Sequence, residues 1–104
     1  MGILENLVLS VIMIGNTHYI DIGMSDDAVI YYPTDTAAHM TLPGKPALHG
    51  VLTLHQDGYH VEWAGGPAGD WKIRHEDGVF TYVGPDGKDA GHITKIVPGN
   101  PEAY

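Results

Sequence analysis

Three Asp-Gly dipeptides constrain the fold more than any other feature of this sequence. They are Asp57-Gly58, Asp77-Gly78 and Asp86-Gly87, and each lies between runs in which apolar and polar residues alternate. Such a pair is typical of a two-residue hairpin turn, because both turn positions need a positive φ. Together with Pro- and Gly-rich breaks, the pattern predicts short strands over residues 17–23, 28–32, 38–42, 49–56, 59–64, 71–76, 79–83 and 90–97. Eight such strands favour an antiparallel up-and-down β-barrel, with a two-sheet β-sandwich as the alternative.

Two-residue turns also fix which residues lie opposite each other, and therefore which face each side chain occupies. Around the first dipeptide, His55 is expected opposite His60. Around the second, His75 is expected opposite Phe80. His18 shares a face with the apolar residues of the first strand. The alternation assigns these residues to the inner face: Ile20, Ile22, Met40, Leu42, Leu52, Leu54, Val61, Trp63, Trp71, Ile73, His75, Phe80 and Tyr82.

The N-terminal segment is a long apolar run that predicts an amphipathic helix over residues 3–14, ending at Gly15. Leu9 and Met13 fall on its outer side, where we expect a contact between two copies of the chain, a homodimer. The run is too short for a membrane span and lacks the basic start of a secretory signal. We therefore expect a cytoplasmic protein without membrane contact; export by a signal in residues 1–15 is the alternative. The stripe expected to pack on the sheet comprises Ile3, Leu4, Leu7, Val8, Val11 and Ile12.

Length and composition narrow the class of protein. With 104 residues the chain supports one domain, residues 1–104. Five basic residues against 13 acidic ones give a formal charge of −8, which leaves no basic stripe for nucleic acid. The absence of Cys excludes disulfides, zinc-thiolate sites and thiol nucleophiles. Residues 65–70 lack the Lys-Ser/Thr pair of a phosphate loop and are expected to form a flexible rim loop. No cofactor is predicted.

The order of elements resembles a known class of barrel proteins. An N-terminal helix, then Gly15-Asn16-Thr17 opening the first strand, then a meander holding two Trp residues, is similar to short bacterial proteins of calycin-like type, the lipocalin and avidin style of barrel. The Gly-x-Trp opening of true lipocalins is missing, so no functional residue is transferred by position. The resemblance implies a barrel that holds a small, mostly apolar ligand, in some members with proton transfer or cyclisation.

The inner face supplies the candidate catalytic and ligand-binding residues. His75 is the first candidate for general acid or base, together with Tyr82, and His18 joins them if the first strand pairs with the last. The alternative is a structural His75, hydrogen-bonded to Tyr82 or to a backbone carbonyl. Large rings are expected to line a ligand cavity, or alternatively to fill the barrel: Tyr32, Tyr59, Trp63, Trp71 and Phe80.

The opposite face of one predicted hairpin holds a candidate metal site. His55 and His60 are expected across from each other, with Glu62 as a near neighbour on that face. Two imidazoles and a carboxylate form a plausible ligand set for a transition metal. The alternative is an ordinary polar surface, since this face is predicted to meet solvent.

Three functional hypotheses follow. The first is a barrel that binds a small, partly apolar metabolite, with a cofactor-independent isomerase, cyclase or lyase as its enzymatic form. The second is a non-catalytic, dimeric interaction domain with a packed interior. The third is a metal-dependent barrel that uses the two histidines and the glutamate described above.

Overall fold

The computed structural model describes residues 2–66 and 68–102. Its strands form a closed antiparallel barrel, and one short helix comes before the first long strand. The mainly β class and the eight-stranded barrel are therefore confirmed over the sandwich alternative. The elements are β1 Gly2–Ile3, α1 Asn6–Met13, β2 Asn16–Asp21, β3 Ala28–Thr34, β4 Ala37–Thr41, β5 Leu48–Leu54, β6 Tyr59–Trp63, β7 Ala68–Glu76, β8 Val79–Val83 and β9 Asp89–Pro98.

The barrel closes between its first and last long strands. From β2 to β9, each strand pairs antiparallel with the next one along the chain, and β9 returns to pair with β2. In that closing ladder His18 lies opposite Ile96 and Thr17 opposite Val97. Closure leaves no unpaired edge in the ring, which is how small barrels avoid edge-to-edge association. The short β1 pairs with the second half of β7, beyond the part that β6 covers.

The Asp77-Gly78 turn has the predicted geometry. Both residues have positive φ, 53° and 76°, and Glu76 lies directly opposite Val79. The register of this hairpin therefore matches the expectation, with His75 opposite Phe80. A type I′ turn twists in the same sense as its flanking strands, so the dipeptide alone determined the pairing.

The other two Asp-Gly dipeptides lie in longer loops, so their predicted two-residue turns are wrong. Residues 55–58 form the first loop, and β5 and β6 pair with Leu54 opposite Tyr59 and Thr53, not His55, opposite His60. Gly58 is needed for a different reason: a Cβ there would lie 2.4 Å from the backbone oxygen of Trp71. The pairing moves by two residues, which leaves each side chain on its predicted face. Residues 84–88 form the last loop.

The core lies inside the barrel and under the helix. Buried apolar side chains alternate along the strands, as the period-two pattern predicts. The buried core comprises Leu9, Met13, Ile20, Ala28, Ile30, Tyr32, Ala38, Leu52, Tyr59, Val61, Ile73 and Tyr82.

The predicted rim loop is shorter than expected, because Ala68, Gly69 and Asp70 already belong to β7. Pro67, which was also predicted to lie in this loop, is outside the described residues.

The helix is shorter than predicted and packs through its other face. Leu9 and Met13, expected on the outside, are fully buried, whereas Leu7 and Val11 are 79% and 75% exposed. The backbone before the helix fixes this rotation, because Leu4 N–H donates to the Ile73 carbonyl as β1 pairs with β7. Leu9 and Met13 thus cannot form the expected contact between copies, and the homodimer stays a prediction. No helix in the described part of the chain is long and apolar enough to cross a membrane.

Candidate functional site

A cavity of about 390 Å³ occupies the barrel at the end opposite the helix. Its walls come from the inner faces of strands β2, β3, β4, β6, β7, β8 and β9, so the period-two alternation positions almost every lining side chain. Small lining residues lie at the start of three of these strands, β3, β7 and β9. The lining residues are Ile20, Ile22, Ala28, Ile30, Tyr32, Met40, Leu42, Tyr59, Val61, Trp63, Ala68, Gly69, Trp71, Tyr82, Pro85, Ala90 and Gly91.

The lining is almost entirely hydrocarbon. Its side-chain polar atoms are three tyrosine hydroxyls and the indole N–H groups of Trp63 and Trp71. Among the residues that the structure describes, none that lines the cavity is charged. Such a surface favours an apolar molecule through burial, while a few polar atoms determine its orientation.

At the base of the cavity, the tyrosine hydroxyls connect to a buried imidazole. The hydroxyls of Tyr32 and Tyr82 lie 2.7 Å apart, and the Tyr82 hydroxyl lies 2.7 Å from Nδ1 of His18. Nε2 of His18 is 2.7 Å from the backbone oxygen of Ile12, in the last turn of α1. The Tyr59 ring packs edge-on against that of Tyr32, with ring centroids 6.4 Å apart. We call these four residues, His18, Tyr32, Tyr59 and Tyr82, the base cluster.

Burial determines the protonation states of the base cluster. His18 is completely buried, and desolvation lowers its pKa to about 4, although the hydrogen bond to Ile12 acts in the opposite direction. Burial likewise raises the pKa of Tyr32, Tyr59 and Tyr82 well above the usual value for a phenol. All four side chains are therefore neutral at pH 7.

Comparison of the chain with protein-family models, with curated proteins and with solved structures finds no match. The geometry of the cavity and of its polar groups is therefore the observation from which we infer function.

Most of the predicted interior residues meet at this cavity. Tyr32, Tyr59, Trp63 and Trp71 line it, as does Tyr82. The predicted neighbourhood of His18 and Tyr82 forms because β9 closes onto β2 and brings β8 close. Their binding and catalytic functions stay predictions.

His75 and Phe80, by contrast, are absent from the cavity lining. They stack on each other across β7 and β8, with ring centroids 4.5 Å apart and an interplanar angle of 24°. His75 is half-buried and lies where β1 pairs with β7. It keeps the parity of Ile73 and Trp71 but lies beyond the cavity along the strand. The histidine that reaches the cavity-lining tyrosines is His18.

The proposed metal ligands are brought near one another but not into a cluster. Nδ1 of His60 is 2.9 Å from Oδ1 of Asp70, and Nε2 is 3.4 Å from Oε2 of Glu62. His55 lies 3.9 Å from Asp70. The hydrogen bond to Asp70 raises the pKa of His60. When the imidazole is protonated, these two side chains form an ion pair on the protein surface. Within residues 2–66 and 68–102, no group of three or more His, Asp or Glu side chains is arranged to hold a metal ion.

Two hydrogen bonds made by histidines could not be predicted from the sequence. The first is the Ile12 carbonyl as the partner of His18, which depends on where the helix ends above the barrel. The second is a hydrogen bond between His39 and His49, directly opposite each other on β4 and β5. The second pair follows from the β4–β5 register, which the loop of residues 42–47 does not determine by its length alone.

Proposed function

We propose that this protein binds one small, mostly apolar molecule inside the barrel. The observation that carries the proposal is the cavity of about 390 Å³ with hydrocarbon walls and a polar base. Known small-molecule pockets cover a similar range of volumes, upward from about 300 Å³. The polar base would orient the ligand and the walls would supply most of the binding free energy.

Small side chains support a ligand over a packed interior. An eight-stranded barrel is just wide enough to be filled by its own side chains. Here Ala28 is a buried residue of the cavity wall, at a position where Leu or Ile would fill part of the space. A non-catalytic domain with a packed barrel has no need of that space, which is why binding is the preferred hypothesis.

Protonation states favour binding over acid–base catalysis. A general acid or base works best when its pKa lies near the working pH. Burial moves the pKa of His18 down to about 4 and that of Tyr82 well above its usual value, so neither group exchanges protons readily near pH 7. The base cluster is therefore proposed as a hydrogen-bonding platform for the ligand.

Titration with indane, a small bicyclic hydrocarbon, tests the proposal. Both tryptophans of the chain line the cavity, so their fluorescence reports directly on its occupancy. We expect a saturable change in that fluorescence and one molecule bound per chain by calorimetry. A linear, non-saturating response up to the solubility limit would contradict the proposal.

A cavity-filling variant separates binding from folding. Ala28→Leu adds three carbons to a cavity wall, so we expect at least a tenfold weaker affinity for indane with no loss of unfolding free energy. Ala37→Leu is the matched control, because Ala37 is half-buried on the outer face of β4 and does not line the cavity. Equal affinity in both variants would show that indane binds elsewhere.

A further inference from the structure

Two histidines, His39 on β4 and His49 on β5, meet on the outer face of the barrel. They lie directly opposite each other, and because Ala38 is fully buried, the alternation along β4 turns His39 outward. Leu52 N–H donates to the Thr36 carbonyl across the same two strands, so ladder hydrogen bonds fall at every second pair counted from there. His39 and His49 are therefore a pair without ladder bonds, the kind whose side chains approach most closely.

The two imidazoles point the same nitrogen at each other. Nδ1 of His39 and Nδ1 of His49 are hydrogen-bonded, which requires one ring to donate and the other to accept. The rings are nearly perpendicular, at 84°, with centroids 4.5 Å apart. Two nitrogens that bind one metal ion at about 2.0–2.1 Å lie roughly 3 Å apart, a spacing close to that of a hydrogen bond. A metal ion can therefore take the position of the shared proton once the donor ring carries its proton on Nε2.

Neighbouring groups hold this pair in place and keep it in the form that binds metals. The Tyr31 ring stacks on that of His39, with centroids 6.1 Å apart and planes 21° apart. Strands β4 and β5 belong to the closed ring of the barrel, which fixes the spacing between the two residues. Desolvation and the nearby His49 lower the pKa of His39, so its imidazole is neutral at pH 7.5. Neutral imidazole is the ligand that a metal ion requires.

We propose that His39 and His49 bind one divalent transition-metal ion, Cu²⁺, Ni²⁺ or Zn²⁺, through their Nδ1 atoms. Imidazole suits these ions, whereas Mg²⁺ and Ca²⁺ prefer oxygen ligands. Water fills the remaining positions, because residues 2–66 and 68–102 contain no metal-binding group of three or more such side chains. The formal charge of −8 favours the approach of a cation. Neither histidine lines the cavity, so this site is separate from the proposed ligand site.

Calorimetric titration with NiCl₂ at pH 7.5, on the full chain without an affinity tag, tests this site. We expect saturable binding of one Ni²⁺ per chain. His39→Gln and His49→Gln are each expected to weaken that affinity at least about tenfold, because strand pairing presents the second imidazole at a high effective concentration. His60→Gln is the matched control: it removes a histidine of β6 that contacts Asp70 and Glu62, and it is expected to keep the wild-type affinity.

Three results would overturn the proposal. They are the absence of saturable Ni²⁺ binding, equal affinity in the wild type and in folded His39→Gln and His49→Gln, and a loss of affinity in His60→Gln. Circular dichroism shows whether each variant folds. A second measurement needs no variant: electron paramagnetic resonance with one equivalent of Cu²⁺ is expected to show two imidazole nitrogens on the metal. A spectrum with fewer than two nitrogen ligands would contradict the site.

Discussion

Acid is expected to destabilise this fold through one buried group, His18. Desolvation lowers its folded-state pKa to about 4, whereas the unfolded chain restores the ordinary value of 6.5. Between those two values the unfolded state binds a proton that the folded state does not, so stability falls as pH falls. The contribution of His18 is fully present above about pH 6.5, and its loss is complete below about pH 4.

The size of the effect follows from the gap between the two pKa values. Each pH unit of that gap is worth about 1.4 kcal/mol, which gives roughly 3 kcal/mol over the whole window. About 2 kcal/mol of this is lost between pH 7.5 and pH 5, while both states still carry mostly ionised carboxylates. Marginal stabilities of about 5–15 kcal/mol make such a loss easy to measure.

Urea unfolding of the wild type and of His18→Gln, followed by tryptophan fluorescence at pH 7.5 and pH 5, isolates this group. The variant is expected to be less stable at pH 7.5, because it loses the bond to Tyr82. The stability gap between the two proteins is then expected to shrink by about 2 kcal/mol at pH 5. His60, whose pKa is raised by Asp70, titrates in the opposite sense but is common to both proteins, so it cancels.

A gap that stays constant from pH 7.5 to pH 5 would refute the buried, neutral state of His18. Nuclear magnetic resonance of the imidazole ring provides a second measurement that needs no variant. The His18 ring is expected to remain neutral at pH 5, when an ordinary histidine is almost fully protonated. A midpoint near 6.5 for this ring would contradict the burial of His18 beneath the cavity.

Two further substitutions test the packing beside the cavity and at the end of the helix. Gly91→Ala is expected to cost roughly 1–3 kcal/mol by urea unfolding, because the new Cβ would lie 2.7 Å from Cγ2 of Ile20 and 2.8 Å from the backbone oxygen of Asp21. Asn16→Ala is expected to cost about 1 kcal/mol, since its amide donates to carbonyls in the last turn of α1; an unchanged urea midpoint would show that the helix end does not need it.

Alternation and turn residues were sufficient to predict the barrel, because each depends only on local sequence. A strand with one buried face repeats every two residues, and a Gly-containing turn interrupts it. The exact pairing was predictable only at Asp77-Gly78, where both residues adopt positive φ. At Asp57-Gly58 the same dipeptide serves a long-range contact, the close approach of the Trp71 backbone, and no local signal distinguishes the two uses.

The orientation of the helix could not be read from its sequence. Apolar residues surround it on nearly every side, so a period of 3.6 does not select one face. What selects the face is the pairing of β1 with β7 and the hydrogen bond from Asn6 N–H to the Gln56 carbonyl, both of which join distant parts of the chain. The Ile12 carbonyl reaches His18 only because of this placement, so that partner could not be predicted from the sequence.

The cavity also depends on residues with small side chains, which the alternation of apolar and polar residues does not single out. Strands β7 and β9 each contribute an Ala-Gly pair near their start, Ala68-Gly69 and Ala90-Gly91, and all four residues line the mouth. The two glycines allow close packing, since a Cβ at Gly69 or Gly91 would lie 2.7 Å from a side-chain atom of Pro85 or Ile20. Ala28, by contrast, is buried in the cavity wall, where Leu or Ile would bury more apolar area and stabilise the fold, so its small side chain fits a site kept for a ligand.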